Sequence, residues 1–249
     1  MIWLSVARPH ILAIVFMSTV TYGWIMGGAH TPTLLLVALV AVWDWFIVNF
    51  MNKATDVDED LANGIAGADL VQRHRGRVEL IGLAMMVLGL ALGHLVLPQL
   101  WPFRLAFTLI GLGYNYRIVP APLRDGSGRW RLGLSRFKEL YFFKNFGSSV
   151  LFTLSVFYYP LYGTAADYPA LKLWLAILFF IPLELTYEIL YDLRDLSGDR
   201  AQGVPTYPVV HGPDVAKRII LGLLMFSAVV PVVGAVTGVG VAVGTTVAV

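Results

Sequence analysis

Residues 171–199 read LKLWLAILFFIPLELTYEILYDLRDLSGD: an apolar run, Leu171–Tyr191, that passes without a break into a row of acids. A bilayer-crossing helix needs about 20 mostly apolar residues, and this run supplies them. Six more stretches do the same: Pro9–Gly28, Thr33–Asn52, Val78–Leu97, Pro102–Val119, Leu140–Leu161 and Ile219–Val236. The uncharged remainder, Thr237–Val249, either continues the seventh span or forms part of an eighth. The expected fold is therefore all-α: a multi-span transmembrane helical bundle of seven clear spans, with an eighth or ninth left open, around a central cavity.

Composition agrees with the spans. Hydrophobic residues make up 57% of the 249 positions and charged ones 14%, against about 45–50% and 25% in soluble globular chains. Mean hydropathy is +0.71. These values exclude a disordered chain, an ordinary cytosolic enzyme and a nucleic-acid-binding domain. The net charge of +2 is too small to signal a polyanionic partner. Without cysteine, disulfides, thiolate metal sites and cysteine nucleophiles are excluded as well.

Charge placement gives an orientation. With the amino terminus inside, the inner segments hold 16 of the 18 basic residues, and only Arg104 and Lys172 fall outside. Such asymmetry follows the positive-inside rule. It predicts an integral protein of the inner or cytoplasmic membrane, or its equivalent, with any active site facing the cytoplasm.

The acids cluster at two places. Asn52, Asp56 and Asp60 step by four at the end of the second span, and Glu188, Asp192, Asp195 and Asp199 step by four, three and four out of the sixth. On a helix each set shares one face. Like charges at that spacing repel, and ionised side chains near a bilayer are costly unless paired or wet. A divalent cation reverses that penalty. Oxygen ligands without cysteine or clustered histidine favour Mg²⁺ or Ca²⁺, and Mg²⁺ is commonly shared between carboxylates and substrate phosphates. Lys53, Arg117, Lys144, Arg194 and Arg200 are the candidate cations for a phosphorylated ligand. Asp44 lies deep in the second span and reads equally as functional or as structural, while Glu184 continues the second acid face inward. The recurrence of an Asp-x-x-x-Asp pair, each after an even-numbered span, hints at an internal duplication, 1–119 and 138–249, within one domain spanning 1–249.

These motifs resemble the UbiA superfamily of intramembrane aromatic prenyltransferases. Asn52-x-x-x-Asp56-x-x-x-Asp60 is similar to the first aspartate-rich motif. Asp192-x-x-Asp195-x-x-x-Asp199, followed by Gly203, Thr206-x-Pro208 and Gly212, is similar to the second. Arg8-Pro9, Tyr114–Arg117 and Lys144-Asn145 resemble further family positions. Lys53 departs from the pattern, standing where most members carry an aspartate.

The resemblance implies a Mg²⁺-dependent enzyme that transfers a prenyl group from a polyprenyl diphosphate donor to a lipophilic, aromatic acceptor within the membrane lipids, with no nucleic acid involved. It implies Asp56, Asp60, Asp195 and Asp199 as the catalytic acids, and Asn52 and Asp192 with them as metal ligands. Substrate contacts are expected from Asn52, Lys53, Arg117, Lys144, Glu188, Arg194 and Arg200, and from Tyr114, Tyr187 and Tyr191, whose faces can stabilise a cation-like carbon. A terpene cyclase on the same scaffold would use the same residues. A cation transporter would use the carboxylates as a pathway.

Overall fold

A computed structural model describes residues 8–27, 31–124, 129–141 and 143–238. In chain order the elements are α1 (Pro9–Gly27), α2 (Pro32–Thr55), α3 (Val57–Ala62), α4 (Ala68–Arg73), α5 (Arg75–Val96) and α6 (Trp101–Asn115). Strands β1 (Val119–Arg124) and β2 (Trp130–Ser135) follow, then α7 (Phe143–Thr153), α8 (Tyr159–Gly163), α9 (Ala170–Arg194), α10 (Leu196–Gln202), α11 (Tyr207–His211) and α12 (Pro213–Val236). The sequence marks several helix starts. Pro32, Pro102 and Pro213 stand in first turns, where a missing N–H costs nothing, and the Thr31 hydroxyl caps α2 by accepting from the Leu34 amide at 3.1 Å.

Helix α2 is the centre of the bundle and packs on α1, α5, α6 and α8, while α9 packs on α7 and α12. Its core residue Trp45 stacks at 4.3 Å from Phe152 and 5.7 Å from Phe107, ring centre to ring centre. Among the described residues five helices, α1, α2, α5, α9 and α12, are long and apolar enough to cross a membrane, and the protein is an integral membrane protein.

The other two expected spans are helical with different bounds. Pro102–Val119 stops as a helix at Asn115, because Tyr116 turns into extended backbone; α6 covers only about 22 Å at 1.5 Å per residue. Leu140–Leu161 corresponds to one continuous helical run in which α7 passes through a π-helical turn over Leu154–Tyr158 into α8. In that turn the Ser155 hydroxyl accepts from Trp45 Nε1 at 2.9 Å, and its carbonyl accepts from Thr19 at 3.2 Å. The reading of Thr237–Val249 falls almost wholly outside the described residues.

The bundle is all-α, but the polar loop after α6 forms an antiparallel hairpin that the sequence reading did not anticipate. Val119 pairs with Ser135 and Arg124 with Trp130. Pro120 and Pro122 obscure it in the sequence, since proline is confined to edge strands and each strand of a two-stranded ribbon is an edge.

The bundle is tied together at mid-depth by a polar knot. Asp44, halfway along α2, accepts from Arg104 Nη2 at 2.7 Å, from Arg104 Nε at 2.9 Å and from the Tyr159 hydroxyl at 2.9 Å. Arg104 Nη1 donates to the Gly89 carbonyl at 2.9 Å. The knot links α2, α5, α6 and α8, and Arg104 is only 2% exposed. Gly93 makes room for it, since a Cβ there would strike the guanidinium. Asp44 is thus structural, and Arg104 belongs to the core and not to an outer loop.

Removing one partner of a buried ion pair costs about 3–5 kcal/mol, because the other charge is stranded. Arg104→Ala is expected to lower stability in detergent by that amount. The double variant Asp44→Leu/Arg104→Met, which removes both charges, should recover most of the loss. Thermal unfolding of the purified variants reads the difference.

Candidate functional site

Both long helices overrun the bilayer. At 1.5 Å per residue, the 24 residues of α2 and the 25 of α9 reach about 36 and 37 Å, against a hydrocarbon core of roughly 30 Å. Each ends in an aspartate that closes the long helix and opens a short one: Asp56 between α2 and α3, Asp195 between α9 and α10. The backbone amides of Asp56 and Asp195 still donate to Asn52 and Tyr191, both at 2.9 Å. The expected continuous acid faces are therefore broken at their middle residue. Asp192 and Asp199 turn inward and are buried, whereas Asp195 is part-exposed. The two short helices pack against each other, with Gly198 so close to the Asn63 side chain that a Cβ would collide. The two acid motifs thereby meet.

Cations flank them on every side. Lys144 Nζ donates to Asp192 at 2.8 Å and to Asp199 at 3.3 Å, and Asn145 Nδ2 holds the other Asp192 oxygen at 2.9 Å. Lys53 donates to Asp60 at 2.7 Å. Lys138, 2% exposed, bonds Asp56 and reaches both oxygens of Glu59 at 2.7 and 2.9 Å, while Arg136 stands 3.6 Å from Asp56. Burial, and then the neighbouring Asp56 charge, push the Glu59 carboxyl above its ordinary value against the pull of Lys138 and Arg136. Asp199 is raised by burial in the same way, with Lys144 opposing.

Next to the acids a cavity of about 370 Å³ opens among α1, α2, α6, α7 and α9. Asn49, Asn52, Tyr114, Ser148, Glu184 and Glu188 give it a polar end, and Ile11, Ile14, Trp45, Leu151, Phe152 and Phe180 wall the rest. The Asn52 Oδ1 is buried and has no hydrogen-bond partner. Arg8 also lines the cavity and donates to Asn49 at 3.3 Å.

Several of the residues expected to contact substrate have protein partners or stand exposed. Arg117, 69% exposed, pairs with Glu139 instead, because the chain leaves α6 just before it. Arg194 folds back on Asp195 at 2.6 Å and lies over the Tyr191 ring at 5.0 Å. Arg200 is exposed. Tyr187 and Tyr191 line the cavity with much of their surface outside it, and Tyr114 lines it from α6. Four residues outside the expected set also stand at the acids or the cavity. Lys138 and Arg136 sit in an aperiodic loop that gives no signal, whereas Ser148 and Ser149 follow Lys144 and Asn145 by four residues, a spacing that places them on the same face.

Among the described residues no three acids or histidines stand ready as a metal cluster. The donor set still suits Mg²⁺: carboxylates from two motifs that meet, no sulfur, and an amide oxygen lacking a partner.

The fold and this cavity define a helical membrane protein with an oxygen-rich, cation-flanked pocket at one end of its spans. Residues 78–249 match the model of the UbiA prenyltransferase family, and the chain belongs to that family. It is 43% identical over 60 residues to the digeranylgeranylglyceryl phosphate synthase of Methanopyrus kandleri, a stretch covering 24% of this chain and 22% of that one. It is 33% identical over 81 residues to the enzyme of the same name from Haloquadratum walsbyi, covering 32% and 28%. The matched stretches thus span about a quarter of these curated relatives. A UbiA homolog from Archaeoglobus fulgidus bound to DMAPP and Mg²⁺ superposes with a TM-score of 0.70 at 16% identity, covering 92% of this chain and 76% of that one. A digeranylgeranylglyceryl phosphate synthase structure gives 0.61 at 15%, covering 96% and 78%. These likenesses show the fold.

The loop that delivers Lys138 and Arg136 is clamped by Glu139. Burial alone would raise this carboxyl, but bonds from Arg117, the Arg136 amide, Ser135 and the Arg136 side chain hold it down at about 2. Its folded value lies below its ordinary one of 4.5. The stabilisation it gives is therefore complete above that value and lost as pH falls through about 2. Glu139→Gln should melt earlier than the parent at neutral pH, and the gap should close as the pH of the melt is lowered across that window.

Proposed function

We propose that the protein transfers a prenyl group from a polyprenyl diphosphate to a lipophilic acceptor, with the reaction at the cytoplasmic end of the bundle. The observation that carries this reading is the cavity itself. A largely apolar pocket has its polar end at Asn52 and Glu188, each one helical turn before the first aspartate of a motif, Asp56 and Asp192. Family membership and homologues described as bound to DMAPP or GPP with Mg²⁺ support it.

In this reading Asp56, Asp60, Asp192 and Asp199 hold Mg²⁺, together with the open oxygen of Asn52, and Asp195 stands at their edge. When bound, Mg²⁺ supplies positive charge that stabilises a departing diphosphate. Lys144 and Lys138, each already between carboxylates, present ammonium groups to the diphosphate oxygens, which is electrostatic stabilisation of the charge that develops on leaving. Lys53 keeps Asp60 in place rather than touching substrate. Trp45, Phe152 and Phe180 exclude water from the allylic carbon, and the Tyr114 ring faces the same space. Transport fits less well. Asp44 is saturated by Arg104 and Tyr159, and nothing among the described acids continues from it to the outer face.

Diphosphate release from dimethylallyl, geranyl and longer allylic diphosphates, by the purified protein in detergent, tests this. Release should require Mg²⁺, stop with EDTA, and fall by about a hundredfold or more in Asp56→Asn and Asp192→Asn, the scale of losing one preorganised charge contact. Release that persists in EDTA, or that neither variant slows, would overturn the reading. Product formation only with an added acceptor separates a transferase from a cyclase.

A further inference from the structure

The hairpin after α6 carries its apolar side outward. In an antiparallel pair, facing residues point to the same side, and neighbours along a strand point to opposite sides. Val119 faces Ser135 and Ala121 faces Gly133, so these four share one face. Ala121 and Ser135 are buried, which turns that face toward the protein. The opposite face holds Pro120, Pro122, Trp130, Leu132 and Leu134. There Trp130 is 63% exposed, Leu132 81% and Leu134 59%, and both prolines are exposed. An antiparallel sheet with one solvated face ordinarily puts polar side chains on it. This one does the reverse, and a contiguous exposed apolar patch marks a contact with something outside the chain.

The hairpin is also short of support. A two-stranded sheet alone in water is marginal and needs a further surface against it. Among the described residues β1 and β2 pack chiefly on each other, with Val119 at their base beside Gly113 of α6.

Position, continuity and charge say what the further surface is. The hairpin stands at the end of the bundle where the acids emerge, since Arg136 and Lys138, just after β2, reach Asp56. Exposed Ile118 before β1 and exposed Phe143 at the start of α7 carry the apolar outer surface of the helices up to the strands. Trp130 is flanked by Arg129 and Arg131, both exposed. Tryptophan collects at the membrane–water interface, and basic residues near it are drawn to anionic headgroups. A second copy adding a strand fits less well. Proline has no N–H to offer, and Pro120 and Pro122 stand at alternate positions of β1, so its outer edge lacks a row of donors.

We propose that the outward face of the β1–β2 hairpin lies in the headgroup layer of the bilayer, with Trp130, Leu132 and Leu134 against the upper acyl carbons and Arg129 and Arg131 against anionic headgroups. This contact goes beyond prenyl transfer and does not depend on it. Because β2 runs directly into Arg136 and Lys138, the bilayer then anchors one end of the loop that reaches Asp56.

The chain has no cysteine, so Leu132→Cys can carry a single environment-sensitive fluorophore on the full-length protein. Asp214→Cys, at the exposed start of α12, is the solvent control. Each labelled protein is placed in nanodiscs of phosphatidylcholine, with or without phosphatidylglycerol. The label at 132 should emit to the blue of the label at 214. Lipids brominated near the top of the acyl chains should quench it several-fold more strongly than they quench the control, and aqueous acrylamide should do the opposite. Phosphatidylglycerol should strengthen the lipid quenching at 132, and Arg129→Gln/Arg131→Gln should remove that gain. Leu134→Asp, also at an exposed position, should return the label toward acrylamide. Acrylamide quenching at 132 equal to that at 214 would overturn the proposal. Lipid quenching that ignores phosphatidylglycerol would overturn the part given to the arginines. Disulfide-linked dimers of unlabelled Leu132→Cys in vesicles, with the label shielded from both quenchers, would put a second copy on this face and overturn the lipid contact.

Discussion

An ionised carboxylate cannot be left facing hydrocarbon, and the arrangement of this protein follows from that one cost. Helices α2 and α9 are each longer than the apolar layer is thick, so their last turns emerge into water on the same side and carry the acids with them. Once there, Asp56, Asp60, Asp192 and Asp199 each stand within reach of a lysine. The same unit recurs in the two expected halves: a long helix, an aspartate that ends it, and a short helix leading away. Two such units packed end to end place two acid motifs side by side, which neither could achieve alone.

The long-range plan was legible because it is written in periodicities. Apolar runs gave the spans, and steps of three and four gave the acid faces. The details lost were those set by breaks in periodicity or by distance in sequence. Nothing in Asp192-x-x-Asp195-x-x-x-Asp199 announces that the helix stops at Asp195 and so turns that residue outward from its neighbours. Arg104 follows Trp101-Pro102 at a span's start and so resembles an outer-loop charge; only the packing of α5 and α6 on α2 reveals Asp44 as its partner, 60 positions away. Lys138 was visible only as one more inner cation, since its partners Asp56 and Glu59 lie about 80 positions earlier, at separations of 82 and 79. The hairpin was masked by its own prolines.

The lysines also bear on how the proposed phosphate site could stay balanced without its ligand. A row of bare carboxylates would repel a diphosphate, and a row of bare lysines would hold it in a fixed ion pair. Alternating them leaves the site near neutrality, with charges that can re-pair. Lys144 bridges two aspartates of the second motif, and Lys138 bridges Asp56 and Glu59 after the first. In the proposed reading a divalent cation would be held by these acids and would offset their charge, leaving the ammonium groups free for phosphate oxygens. The Asn52 oxygen, buried without a partner, would be available as a further donor to it.

The two groups of acids inside the bundle are compensated in physically different ways. Asp44 receives three hydrogen bonds, two of them from a guanidinium that matches its geometry, and the space beside it is nearly filled, at about 10 Å³. Its charge is fully compensated and it has nothing left to offer. Glu184 and Glu188 have serine hydroxyls in place of a cation, fewer protons than acceptors, and an open cavity at their side. Glu184 and Glu188 thus differ from Asp44 in physical surroundings: no guanidinium saturates them among the described residues, and the space beside them is open rather than filled.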